Sequence, residues 1–427
     1  MKSAAAIANE PGWLSRLRER AAHSFAELGY PTPEREEWRY SGRLLRELAR
    51  QRFETAEAGS TVSRETLEEL AFPLFACSLF VFVDGYFAPD LSTPHGLGGA
   101  LGDAWVRSLA ELARNQPEAL QGRLGALVDL KRDAFVALNT GHFRDGACIH
   151  VPRGRQVAQP IHIVFLTTRP AATHPRVLVN LEEGARASVV LDHLSLGAES
   201  RFSNAVVEVD LAADAALDWI VLQRESPAAL HVSRTRAQLG RNARLSSHVV
   251  TVGGHRVRND LDLVLAGEGA EGRLEGLFVG VGEQQIDNYT HVDHAVPHGT
   301  SRELYKGVLA ERARGVFRGL VHVRPGAQKT SAWQSNPNLL LGGRAEVDTQ
   351  PQLEIHADDV RCSHGSTIGQ LDVRALFFLR SRGIDLHEAR RMLTQGFAAE
   401  ITDGLPVAAL GERVRELFLE RLAGVVS

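Results

Sequence analysis

Residues 176–223 read RVLVNLEEGARASVVLDHLSLGAESRFSNAVVEVDLAADAALDWIVLQ, and this stretch decides the fold. Four short runs rich in valine, leucine and isoleucine are divided by small acidic, glycine and alanine punctuation such as EEGARA and AADAAL. Such side chains suit a pleated surface, and the runs are too short for ordinary helices. The same pattern appears in IHIVFL (161–166), HVVTVGG (248–254) and LDLVLAG (261–267), with turns GRNARL (240–245) and GEGAEG (267–272). It extends from about Cys148 to Ile355. No segments of helical period alternate with the runs, so nothing is available to cover a flat parallel sheet. Acidic–glycine–alanine turns at a loose spacing of roughly 20–25 residues predict a coiled sheet in which each rung stacks on the last. A sandwich is the competing fold; the short runs and small turns favour a mainly β chain with a parallel β-helix at its centre.

Helical patterns flank this core. Trp13, Leu14, Leu17, Ala21, Phe25 and Leu28 fall three or four apart until Gly29, and helical spacing extends over 13–53 apart from the turn forced by the two prolines of GYPTPEREEWRYS. SLFVFVDGYF predicts a strand, a turn at Asp84–Gly85 and a second short extended piece, and residues 103–138 return to helical spacing. Beyond Gly369, Asp372 caps one helix that stops at Gly383, Asp385 with Glu388 caps the next, and Leu410, Val414, Leu417 and Leu422 share a face of the last. The expected divisions are 1–145, N-terminal and mostly helical; 146–366, the β core; and 367–427, C-terminal and helical.

Composition narrows the function. A chain of 427 residues with 44% hydrophobic and 23% charged residues reads as a globular protein, and no segment approaches the about 20 apolar residues that span a bilayer. The opening MKSAAAIANEPG regains charge and proline before an apolar region forms, so no signal peptide is expected. A net charge of -4 with both signs mixed argues against nucleic acid. Cys77, Cys148 and Cys362 are far apart, odd in number and form no CxxC pair, which suits a reducing compartment and provides no four-cysteine cluster site.

Three polar segments compete for the chemistry. DNYTHVDHAVPHGTSRELYKG (287–307) sets His291, His294 and His298 beside Asp287, Asp293 and Glu303. On a strand, however, His291 and Asp293 share one face and His294 takes the other, so the ligands do not converge and structural roles are expected. GAQKT (326–330) lacks the second glycine and the strand–loop–helix setting of a phosphate loop, so ATP binding by this chain is not expected. Gln334, Asn336 and Asn338 alternate and predict an amide ladder on one face. In ADDVRCSHGST (357–367), Cys362 and His364 lie two apart and, if extended, project to one face about 7 Å apart. A thiolate and an imidazole there are candidate iron ligands, too few to hold a cluster without another chain. The plainer alternative is an inert cysteine beside a turn histidine.

Taken in order, HVDHAVPH, SRELYKG, GVFRG, PGAQKT, DTQPQLEI, ADDVRCSHG, GQLD, LFFLRSRG and GFAAE, together with PTPEREEWRYS near the N-terminus, resemble the SufB/SufD family of iron–sulfur cluster assembly proteins. CSHGST followed by IGQLD matches the branch without the glutamate-bearing segment of SufB. The resemblance implies a right-handed parallel β-helix in a cytoplasmic, non-catalytic scaffold that pairs with SufB and binds the ATPase SufC. It also implies a transient iron–sulfur cluster or iron at the SufB interface, with His364 the candidate ligand from this chain and Cys362 the weaker one. A homodimer is implied as possible when partners are absent. The SufC contact implied lies on Leu376, Phe377, Leu379, Arg380 and Arg382 of one helix and Arg390, Met392, Leu393 and Phe397 of the next. Ser366 stands where alanine is common, His356 where an aromatic is common and Pro337 where a basic residue is frequent. His356, eight residues from His364 and so about 26 Å away along an extended strand, is not expected to share its iron. A secreted-type β-helix carbohydrate-active enzyme is the disfavoured alternative, since it predicts a leader and aromatic platforms and aromatics make up only 6% here.

Overall fold

In the computed structural model, which describes residues 10–51, 53–59, 62–71, 77–94 and 103–425, the apolar runs form two long parallel sheets wound as a solenoid of about eight coils. The reading of the opening residues falls, for 1–9, outside the described residues. From Arg176–Leu181 onward consecutive strands alternate between the sheets, so each pairs with the next but one in sequence. Leu181, Leu211, Leu239 and Leu265 stack in register through successive coils of the second sheet, each buried in the interior. Fully burying such a side chain contributes about 1.5–3 kcal/mol, and the column repeats that gain coil after coil.

The predicted turns form one corner. Gly184, Asp214, Asn242 and Gly269 each adopt a left-handed backbone, with φ of 68°, 60°, 54° and 72°. Glycine, asparagine and aspartate are the residues that tolerate it. The corners bond to one another: Asp214 N–H donates to the Arg241 carbonyl at 2.8 Å, and Asn242 Nδ2 donates to Asp214 Oδ1 at 2.9 Å. Corner positions 184, 214, 242 and 269 are 27–30 residues apart. The expected 20–25 is therefore too short, because a full coil contains a strand in each sheet and the turns of both.

Outside the core, helices Gly12–Leu28 and Gly42–Arg50 form as expected on either side of the proline turn. Within 103–138 the expectation of helix fails at Trp105–Ser108, a strand that pairs antiparallel with Gly146–Val151; helices follow at Leu109–Asn115 and Ala134–His142. Trp and Val favour extended backbone, and Ser108 is the N-cap that ends the strand and starts the helix. The hairpin Ser78–Val83 and Tyr86–Phe87 turns at Asp84–Gly85 with φ of 50° and 85°, and its first strand pairs parallel with Ile161–Thr167. Together these pieces close the N-terminal end of the solenoid.

The C-terminal end differs. The last strands of the two sheets are Glu346–Ile355 and Arg361–Gly369, each paired along one edge only among the described residues. The helices Leu386–Thr402 and Ala408–Leu422 turn back along the outer face of the first sheet instead of capping this end. Ile401, Leu410, Val414 and Phe418 are buried there against Ile220, Val250, Leu277 and Leu304. Lys306 fixes the return, 2.8 Å from the Glu400 carboxylate and donating to the Phe397 carbonyl at 3.0 Å.

Candidate functional site at the open end of the solenoid

The segment PTPEREEWRYS is a clamp on the outside of the second sheet. Trp38, 4% exposed, stacks on Phe135 at 5.1 Å, and the Arg258 guanidinium sits 3.6 Å from the Trp38 ring centre and 3.7 Å from that of Tyr289. Arg258 donates to the Glu37 carbonyl and to Ser41 Oγ, and Ser41 Oγ donates to Asp287 at 2.6 Å. Burial pushes the Asp287 carboxyl up to about 6. Asp287 is thus an anchor for the N-terminal region.

The three histidines do not converge, as strand alternation requires. His291 Nδ1 faces outward, 3.4 Å from Asp262 Oδ1. His294 points inward, next to Leu265 in the leucine column, where it bonds Ser301 Oγ at 2.8 Å and burial holds it down at about 4. His298 occupies a left-handed turn position, φ 62°. Asp293 accepts two hydrogen bonds from Arg324, at 3.0 and 2.6 Å. GAQKT turns a corner: Lys329 has φ 61°, its N–H donates to the Asp359 carbonyl at 2.7 Å and its ammonium pairs with the Asp359 carboxylate. The amide ladder forms facing inward, with Asn338 Nδ2 donating to Asn336 Oδ1 at 2.7 Å and Asn336 Nδ2 donating to the Tyr305 carbonyl at 2.7 Å.

Cys362 and His364 lie on the exposed strand Arg361–Gly369, which is extended as expected. In register, Cys362 sits beside Ala332 and His364 beside Gln334, both buried residues of the preceding coil, so both candidates continue inward-facing columns. Among the described residues no further coil follows within that sheet, so His364 is exposed and Cys362 half-buried at the rim. Partial burial against the apolar interior pushes the Cys362 thiol up, so it keeps its proton at neutral pH. Beneath His364, Gln334 Nε2 donates to Glu303 Oε2 at 2.6 Å, and burial pushes the Glu303 carboxyl up to about 7.

The helix Val373–Arg380 stands beside this rim with apolar residues uncovered. Phe377 is 73% exposed, and Val373 and Phe378, absent from the sequence-based set, are 76% and 54% exposed. Arg382 lies 3.5 Å from the Phe378 ring centre. Met392, Arg380 and Arg382 are exposed, Leu376, Leu379, Arg390 and Leu393 half-buried, and Phe397 packs inward against the helix–sheet core. His356, set aside from the sequence, acquires neighbours. A turn separates its strand from that of His364, so the extended-strand distance does not apply; instead it joins His322 and Glu354, with ligand atoms within 4.8 Å of one another. Only the register between coils brings His322 to Glu354, and sequence spacing holds no sign of it.

Comparison with known proteins identifies the family. The SufBD core domain of the SUF system for FeS cluster assembly matches residues 164–397, and the SufBD N-terminal region matches 2–163. The chain belongs to the SufBD family. It is 33% identical over 401 residues to the iron–sulfur cluster assembly protein SufD of Escherichia coli, covering 93% of this chain and 90% of that protein. A SufBD family protein of iron–sulfur cluster assembly from Synechocystis is 33% identical over 418 residues, covering 95% and 91%. SufD of Bacillus subtilis is 25% identical over 431 residues, covering 97% and 95%. The chain is thus a SufD homologue, and among its described residues no helix is long and apolar enough to cross a membrane.

Proposed function

We propose that this chain is a cytoplasmic scaffold subunit without turnover of its own, which pairs with SufB through the open end of its solenoid. A nascent iron–sulfur cluster is the cargo of that interface, with His364 as this chain's ligand and Cys362 beside it. The observation carrying this reading is the pair of long, one-sided edge strands at the C-terminal end, with a thiol and an imidazole on the rim of one. An unpaired strand edge is a template for strand addition by a partner, and a monomeric protein ordinarily blunts it. Two ligands leave iron positions for a second chain to fill. When SufB is absent the same edge would accept a second copy of this chain.

The uncovered face of Val373, Phe377, Phe378 and Met392, with Arg380 and Arg382 at its border, is the surface for the ATPase SufC, whose nucleotide cycle would drive opening of the interface. Clustered exposed aromatics flanked by arginine are the composition of an interface centre. His364→Ala is expected to leave folding, SufB pairing and SufC capture intact while cluster formation in the reconstituted three-protein complex falls at least tenfold. Undiminished cluster yield would remove His364 from the site. Phe377→Ala should weaken SufC capture in pull-down while SufB pairing persists, and unchanged SufC capture would move that contact elsewhere.

A further inference from the structure

We propose that His322, Glu354 and His356 form a binding site for a divalent first-row transition ion on the outer face of the second sheet. It is separate from the Cys362 and His364 rim, which belongs to the first sheet, and does not depend on the role assigned to that rim. His322 lies on the strand Arg314–Val323 and pairs in register with Glu354 of the last strand, 32 positions later. His356 follows directly, its N–H bonded to the Val323 carbonyl at 2.9 Å, and its ring centre lies 5.5 Å from that of His322. Ligand atoms of all three lie within 4.8 Å of one another. Around a tetrahedral ion with bonds of about 2.0–2.1 Å, ligand atoms are about 3.3 Å apart. Rotation of the exposed Glu354 and His356 side chains supplies the remaining approach.

The surroundings fit a metal better than an ion pair. Among the described residues no salt bridge engages Glu354 or His356, although arginines pair with acids throughout this face. His322 Nδ1 lies 3.3 Å from Asp293 Oδ1, and Asp293 is itself held by Arg324. A carboxylate at Nδ1 selects the tautomer with its proton there, leaves the Nε2 lone pair for a metal and fixes the ring plane. Two imidazoles and one carboxylate suit Zn2+ or Fe2+ and leave positions open for water or a partner's ligand; calcium and magnesium prefer an all-oxygen set.

The test titrates the metal-free full-length chain with Zn2+ alone, with Fe2+ alone under anaerobic conditions, and with Co2+ as a spectroscopic stand-in. The wild type, H356A, E354Q, D293N and the double variant C362S/H364A are compared. The expected result is one ion per chain whose affinity falls roughly tenfold or more in H356A and E354Q and by a smaller factor in D293N, with binding retained in C362S/H364A. In C362S/H364A, Co2+ should give ligand-field bands without a thiolate charge-transfer band. Apart from the buried Asp293, the altered side chains are exposed or half-buried, so unchanged melting temperatures separate loss of binding from loss of fold. Wild-type affinity in H356A and E354Q overturns the site, as does binding that disappears only in C362S/H364A. Cluster assembly by the partnered protein is a separate readout, so either proposal can fail without the other.

Discussion

The two ends of the solenoid are built on opposite principles. At the N-terminal end, a hairpin and an antiparallel strand terminate the sheets, and helices with Trp38 and Phe135 pack over the outer surface. At the C-terminal end two parallel strands finish with open edges, and the helices that could have capped them run back along a side of the first sheet. These helices bury Phe418 and Ile401, while Phe377 and Val373 on the preceding helix Val373–Arg380 stand in water. One end is thus closed by the chain itself, and the other ends in unpaired strand edges among the described residues.

That contrast breaks first at Trp38. Trp38→Ala removes a ring held between Phe135 and the Arg258 guanidinium, and a buried aromatic truncation of this kind costs about 3–5 kcal/mol. Chemical denaturation should register that loss, whereas Phe377→Ala at the open end should stay within about 0.5 kcal/mol of wild type because it removes no buried contact. Comparable losses at both positions would mean that the C-terminal end is closed in the isolated chain.

The edge itself is the next target. Arg361 N–H donates inward to the Thr330 carbonyl, so by the alternation of a parallel ladder Cys362, His364 and Ser366 direct their backbone groups to the free edge. Ser366→Pro removes a donor on that edge without breaking the ladder beneath it. Pairing with SufB, followed by analytical ultracentrifugation, should weaken about a hundredfold, near 2.7 kcal/mol, with little change in melting temperature. Unimpaired pairing would place the interface elsewhere.

The same two regions mark what the sequence reveals. Alternating apolar runs and left-handed turn residues such as Asp214 and Asn242 act locally, so the solenoid, its corners and the division of His291 from His294 can be read from neighbouring letters. The extended setting of Cys362 and His364 is legible for the same reason. Exposure at the rim is not, because it depends on where stacking stops, and a strand with inward-facing Cys362 and His364 reads identically in the middle of a solenoid. Likewise, the meeting of His322 with Glu354 depends on a coil 32 residues long in register, which variable turns conceal.

How far the opening reaches inward can be measured through Glu303. Its column runs Leu274, Glu303, Gln334, His364, so it lies two coils below the rim, bonded by Gln334 and otherwise surrounded by the interior. Burial raises this carboxyl to about 7, above the about 4.3 of an unfolded chain. A group whose folded value is raised binds its proton more tightly in the native state. Its contribution is therefore complete below about pH 4 and is lost as pH climbs through 7. Stability should decline between pH 5 and 8 by on the order of 2 kcal/mol from this residue. Glu303→Gln, which keeps an oxygen for Gln334 to donate to, should flatten that decline without lowering stability at pH 5. If water entered from the rim as deep as Glu303, the carboxylate would be solvated and the two proteins would have parallel pH profiles. Parallel profiles would extend the open end through two coils, whereas a flattened profile confines it to the strand that carries His364.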